Sequence, residues 1–174
     1  MSAREGYDGL SIAVHWVGAA LVIALFVTHE GAAGTPAWTF HVAGGNVIAL
    51  FLVWRVARRA RRGFAAKPDQ SAMLNAIARA TAWGILACLL ALSVTGWLLP
   101  WANGAPLNLA TLLAVPSPLP PTPGLYAVLD AVHAFAGHAI VPLVVLHLAG
   151  AAKHAFLDGD GVLMRMVTAV RGGH

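Results

Sequence analysis

The sequence predicts an all-α integral membrane protein, a four-helix bundle with both termini on the cytoplasmic side. The first observation is composition: 59% of the 174 residues are hydrophobic and only 10% are charged, whereas a soluble domain carries about 25% charged residues. A chain this apolar has too little polar surface to face water on every side. The second observation is that the apolar residues form four long uncharged stretches, and the third is the uneven placement of the basic residues.

Each stretch is long enough to cross a bilayer as a helix, which takes roughly 20 apolar residues. The uncharged stretches are Leu10 to His29, Gly31 to Trp54, Ala80 to Leu99 and Ala131 to Ala152. They predict one membrane domain over residues 1–174, with helices at about 10–29, 38–58, 74–99 and 126–156. We expect the first span to be retained, because no clear small-residue cleavage site follows it. The proline-rich segment from Pro100 to Gly124 is predicted to be a loop of extended and turn segments.

The basic residues determine the predicted orientation. Most of them lie between the second and third spans: Arg55, Arg58, Arg59, Arg61, Arg62, Lys67 and Arg79. The remainder lie in the terminal segments: Arg4, Lys153, Arg165 and Arg171. Since the other two loops carry none, the positive-inside rule places both termini and the 55–79 loop in the cytoplasm. Basic residues that adjoin apolar segments indicate a lipid surface rather than nucleic acid.

Histidines are the candidate ligands. Five of the eight lie inside the spans: His15, His41, His133, His138 and His147. Ionisable residues at membrane depth are costly and mark functional sites. Because no acidic or basic residue accompanies them there, neutral imidazole favours a transition metal, haem iron in particular, over a proton path. The single cysteine, Cys88, excludes a CxxCH motif, so a haem here would not be covalently attached.

Helix direction sorts these histidines into two levels. His15 lies near the inner end of the first helix, and His41 lies near the outer end of the second. On the fourth helix His133 is outer, and His147 lies 14 residues further in, about 21 Å along the axis and on the same face. His15 and His147 are therefore the predicted ligands of an inner haem iron, and His41 and His133 those of an outer one. His138 is turned about 140° from His133 and is interpreted as a packing or hydrogen-bonding residue.

His29 is an alternative to His41 at the outer level. It follows His15 by 14 residues, so it lies on nearly the same helix face at the other end of the span. Helix geometry alone leaves both residues open. His41 lies inside its span, whereas His29 adjoins Glu30 at a helix end.

Two further residues near the cytoplasmic edge are candidates for binding. His154 follows His147 by seven residues on the same face. It suits a quinone site that needs a hydrogen-bonding, proton-delivering group, or it is an interfacial residue beside Lys153. Arg55 is the arginine closest to the membrane. It is a candidate partner of an inner haem propionate, or a lipid-contacting residue.

The chain resembles the bacterial cytochrome b-561 family of four-helix di-haem membrane cytochromes over nearly its whole length. The resemblance lies in Ser11-Ile-Ala-Val-His15-Trp16, in His41, and in the spacing of His133, His147 and His154. It implies two haem b groups with axial ligands at His15, His41, His133 and His147, which favours His41 over His29. It also implies a multi-pass protein of the bacterial inner membrane with a ubiquinone site at His154. The family includes an enzyme that oxidises superoxide and reduces ubiquinone.

The resulting hypothesis is a di-haem cytochrome that moves electrons between an outer-face donor and the quinone pool. Superoxide is one candidate donor, and it would make the protein a quinone-linked oxidoreductase. Superoxide is an anion whose capture benefits from positive charge, yet the outer loops carry Glu30 and Asp130 and no Lys or Arg. The alternatives are the cytochrome b subunit of a dehydrogenase or hydrogenase complex, and a histidine-based metal or proton transporter.

Overall fold

The computed structural model describes residues 9–63, 70–110, 112–161 and 163–167. Within these ranges four helices are long and apolar enough to cross a membrane, which confirms the predicted helical membrane bundle. They run over Gly9–Thr28, Pro36–Arg61, Ala72–Ala102 and Pro123–Asp158. The terminal segments 1–8 and 168–174, which carry Arg4, Arg171 and His174, lie outside the described residues, as does Lys67 in the loop.

Local signals set where the helices begin. The hydroxyl of Thr35 accepts a hydrogen bond from the main-chain nitrogen of Trp38, and Pro36 occupies the first turn, where its missing N–H costs nothing. The second helix therefore begins two residues before the predicted position 38. Ser71 caps the third helix in the same way, by accepting from the main-chain nitrogen of Leu74.

The third helix continues through Pro100 to Ala102, so the predicted loop begins later than Pro100. Pro100 lacks one intrahelical hydrogen bond, but only two helical residues follow it. Asn103 then closes the last turn onto the main-chain oxygen of Leu99 at 3.1 Å. The loop then forms a short antiparallel hairpin, in which Leu107–Leu109 pairs with Leu113–Val115.

The hairpin is joined to the second helix by polar contacts. The side-chain amide of buried Asn46 donates to the main-chain oxygen of Asn108 at 2.9 Å. The main-chain nitrogen of Ala110 donates to the oxygen of Ala43 at 3.0 Å, and the indole of Trp97 donates to the main-chain oxygen of Asn46 at 2.8 Å. The first two bonds hold the proline-rich loop against one end of the bundle, and the third joins the third helix to the second.

The core lies between the second, third and fourth helices. Its buried side chains are Leu52, Val56, Leu86, Leu89 and Ile140. The first helix is peripheral, since only Val14 and Gly18 are buried in it. Its exposed apolar side chains are compatible with lipid, because hydrocarbon tails are as apolar as the side chains themselves.

Candidate functional site

The inner pair consists of His15 on the first helix and His147 on the fourth. Their ring centres are 6.2 Å apart, with the rings tilted by 56°. The two helices thus bring two imidazoles, which are 132 positions apart in the chain, to the same level of the bundle.

The outer pair consists of His41 on the second helix and His133 on the fourth. Their ring centres are also 6.2 Å apart, with the rings at 81°. His41 lies in a five-residue π-helical segment, Phe40–Gly44, that interrupts the second helix. Such segments occur frequently at functional sites. Here the ring nitrogen Nδ1 of His41 lies 2.8 Å from the main-chain oxygen of Leu25 on the first helix.

The third helix contributes a partner that the sequence reasoning missed. The hydroxyl oxygen of Thr95, a buried residue, lies 2.8 Å from Nδ1 of His133. The same hydroxyl donates to the main-chain oxygen of Ala91 at 2.7 Å, so its oxygen accepts the N–H of His133. A threonine is common in helices and gave no signal in the sequence. The contact between Thr95 and His133 becomes apparent only in the structure, where the third and fourth helices pack together.

His29 contacts His41 but differs from it in environment. The two ring centres are 6.5 Å apart, so His41 is in ring contact with both His29 and His133. The side chain of His29 is 43% exposed, and its Nε2 lies 3.8 Å from a carboxylate oxygen of Glu30. Its Nδ1 meets the main-chain oxygen of Phe26. Both ring nitrogens of His29 therefore face groups at the end of its own helix.

His138 lies on the exposed side of the fourth helix. Its Nδ1 is 2.7 Å from the main-chain oxygen of Ala134, one turn earlier. This contact agrees with the hydrogen-bonding role expected from its angle on the helix.

Arg55 contacts the inner pair directly. Its terminal nitrogen Nη2 lies 3.1 Å from Nδ1 of His15. Gly18 provides the space for this approach, since a Cβ atom at that position would lie 3.1 Å from both Cδ and Nε of Arg55. The arginine expected near a propionate thus reaches the histidine ring itself.

His154 lies in a second π-helical segment, Lys153–Asp158, which follows the fourth helix. Its Nδ1 is 2.9 Å from carboxylate oxygens of both Asp158 and Asp160. Asp158 is also bound by the ammonium group of Lys153 at 2.9 and 2.7 Å. His154, Asp158 and Asp160 are residue types that can hold a metal ion, but the ammonium already engages both oxygens of Asp158. The two aspartates were visible in the sequence, four and six residues after His154, and were not considered there.

Comparison with known proteins decides the family. The family model described as prokaryotic cytochrome b561 matches residues 6–169. This chain belongs to the prokaryotic cytochrome b561 family. One curated relative is cytochrome b561 homolog 2 of Escherichia coli (strain K12), which is 28% identical over 172 residues that cover 94% of this chain and 92% of the relative.

Membership has three consequences for this cytochrome b561 family member. The protein is a membrane b-type cytochrome that acts in electron transfer, and it binds haem b. Its four apolar helices make it a multi-pass bacterial membrane protein in contact with lipid. A cytochrome of this class exchanges electrons with a redox partner.

Proposed function

We propose that this cytochrome holds two haem b groups, one between His15 and His147 and one between His41 and His133, and that it passes electrons between an outer-face donor and the quinone pool. The observation that carries the proposal is the equal 6.2 Å separation of ring centres in the two pairs. Two imidazoles that bind one metal atom from opposite sides, each through a bond of about 2 Å, have ring centres roughly 6 Å apart.

The hydrogen bonds of the outer pair fit this use. The main-chain oxygen of Leu25 can only accept, so Nδ1 of His41 carries the proton. The hydroxyl of Thr95 donates to Ala91 and so accepts from Nδ1 of His133. In both neutral rings Nε2 then keeps its lone pair for a metal. A histidine that binds a metal through one ring nitrogen usually donates the N–H of its second ring nitrogen to an acceptor, which fixes the tautomer and the orientation of the ring.

The inner pair fits with one rearrangement. A guanidinium only donates, so Nδ1 of His15 accepts from Arg55 and the proton of the neutral ring lies on Nε2. Binding of iron through Nε2 therefore requires Arg55 to turn to another acceptor. A haem propionate would be a suitable acceptor, and Arg55 is the proposed propionate partner.

Haem bound by these pairs would supply reversible one-electron chemistry, and an iron held by two histidines would have no open position for a substrate. The protein's part is to fix the two levels. His133 and His147 are 14 residues apart on the fourth helix, about 21 Å along its axis. We infer a path for electrons through the apolar part of the bundle.

The quinone site is proposed at His154. The residue follows His147 by seven positions, so it lies about 10 Å beyond the inner pair along the helix, toward the basic end of the bundle. Reduction of a quinone consumes two electrons and two protons. His154, bound by Asp158 and Asp160, is a group that can supply a proton at the edge of the membrane.

The donor is proposed to meet the opposite end of the bundle, beside His41 and the hairpin. Glu30 and Asp130 at this end and the absence of Lys or Arg from the loops 29–40 and 99–130 disfavour an anion such as superoxide. The positive-inside rule supports the basic end as cytoplasmic. Apolar helical spans in a member of a prokaryotic family support the inner membrane as the location.

Haem content of single variants tests the proposal. Purified protein should contain about two haems per chain, with reduced b-type absorbance. His147→Leu and His133→Leu should each lose one, whereas His138→Leu, on the exposed side of the same helix, should retain both. The two-haem assignment fails if His133→Leu and His147→Leu keep full haem content.

A donor screen then tests the direction of flow. Quinone reduction by the purified protein should be followed with superoxide and with other donors. Co-purification of a metal-cluster subunit would instead indicate the cytochrome subunit of a larger dehydrogenase or hydrogenase.

A further inference from the structure

The two histidine pairs differ in the charge that surrounds them. The guanidinium of Arg55 lies 3.1 Å from the ring of His15 in the inner pair. The ring nitrogens of the outer pair instead meet the neutral main-chain oxygen of Leu25 and the neutral hydroxyl of Thr95. One pair therefore has a cation in direct contact, and the other has two neutral acceptors.

The charge of Arg55 is permanent and weakly screened. A guanidinium is not deprotonated in proteins, and a charge in an apolar interior acts more strongly than the same charge in water. The helices Gly9–Thr28, Pro36–Arg61 and Ala72–Ala102 contain no carboxylate. On the fourth helix, Asp130 lies near the outer end, and Asp158 is paired with Lys153 and His154. Gly18 allows the side chain to lie across the first helix toward His15.

A nearby cation favours the reduced form of a haem. The oxidised iron carries one more positive charge than the reduced iron, so Arg55 destabilises the oxidised state and raises the reduction potential. The hydrogen bonds of the outer pair act in the opposite direction. An acceptor on Nδ1 makes the imidazole a stronger ligand, which favours the oxidised state and lowers the potential.

We propose that Arg55 makes the haem of the inner pair the higher-potential haem, so that electrons delivered at the outer pair collect beside His154. The inference rests on the two-haem function proposed above. The electron that the outer haem loses on oxidation is the one that the inner haem gains on reduction, so the step needs no further reactant. If Arg55 turns from His15 to a propionate, its charge still remains at the inner level.

A potentiometric titration of the purified protein tests the role of Arg55. The two transitions are assigned with His133→Leu and His147→Leu, each of which leaves one haem. In the unaltered protein the inner haem should titrate at the higher potential. Arg55→Met should lower the equilibrium constant for electron transfer from outer to inner haem tenfold or more, which corresponds to about 59 mV for one electron.

Three further variants separate charge from structure. Arg55→Lys retains the charge and should keep most of the difference between the haems. Gly18→Ala adds a Cβ atom 3.1 Å from Cδ and Nε of Arg55, so it should displace the guanidinium and lower the inner potential partially. Arg58→Met removes a charge on the same helix whose guanidinium lies over Trp54, 5.8 Å from the ring centre, and should change the inner potential far less.

The outcomes distinguish this inference from the proposed function. A haem content of one or none per chain defeats the two-haem function before any titration. Two haems with the inner one at the lower potential overturn only the role of Arg55. An equal shift of both haems in Arg55→Met, or the same inner shift in Arg58→Met, also overturns it.

Discussion

The indole nitrogen Nε1 of Trp16 donates a hydrogen bond to the main-chain oxygen of Met166, 2.8 Å away, across 150 residues of sequence. Trp16 adjoins His15, and the two ring centres are 5.5 Å apart in an edge-to-face arrangement. The short 3-10 helix Met164–Met166 is thereby tied to the first helix beside the inner pair. Positive φ angles at Gly159 and Gly161 allow the chain to turn after the fourth helix and reach this position.

Trp16→Phe should loosen this C-terminal segment without removing haem. The substitution keeps an aromatic ring, although a smaller one, and deletes the N–H donor, which weakens the contact by about 1 kcal/mol. Hydrogen exchange measured by mass spectrometry should rise several-fold in residues 163–167. Trp38→Phe, at the other end of the bundle, serves as the control. Equal exchange in the two variants would show that the contact does not hold the segment.

Thr95→Val should weaken the outer haem site selectively. Valine has nearly the same shape but leaves the Nδ1–H of His133 without its acceptor, and loss of such a partner typically costs 10- to 100-fold in metal affinity. The measurement is retention of the outer haem during dilution, followed by its absorbance. Thr95→Ser keeps the hydroxyl and should retain the haem. Loss of the inner haem instead would contradict the assignment of Thr95 to His133.

Asp160→Asn should slow quinone reduction while leaving haem content unchanged. Asparagine still offers an acceptor to Nδ1 of His154 but cannot hold a proton, so proton delivery should slow by roughly tenfold or more. Stopped-flow oxidation of the reduced haems by a short-chain ubiquinone measures this rate. The haems of Asp130→Asn, a variant near the opposite end of the fourth helix, should be oxidised at the unaltered rate. A normal rate in Asp160→Asn would remove the aspartate from the proposed quinone site.

The C-terminus should lie in the cytoplasm. Seven of the 11 basic residues lie in the segment 55–79, and the loops that carry Lys and Arg remain on the cytoplasmic side. A fluorescent protein fused after His174 should fold and fluoresce, whereas a periplasmic phosphatase fused there should be inactive. A phosphatase inserted in the loop between Asn103 and Thr122 should be active. The reverse pattern would invert the proposed direction of electron flow.

Much of the bundle was predictable because a transmembrane helix is a local property. Twenty apolar residues in succession form a span whatever else the chain does, and the spans around His15 and His147 follow from this alone. The pairing of histidines by depth followed from rise and rotation per residue. Two helix boundaries differed from prediction. The second helix begins at Pro36 because Thr35 caps it, and the third continues through Pro100 because this proline lies in the last turn.

The sequence by itself determined four membrane helices, the asymmetry of positive charge, and which histidines share a depth, because hydropathy and helical geometry act along a single segment. Only the tertiary structure decided what each imidazole touches: Leu25 for His41, Thr95 for His133, Arg55 for His15, and two aspartates for His154. A hydrogen bond requires two atoms within about 3 Å. That proximity depends on how separate helices approach one another. It also depends on the π-helical segments that contain His41 and His154, where side chains do not follow the α-helical period.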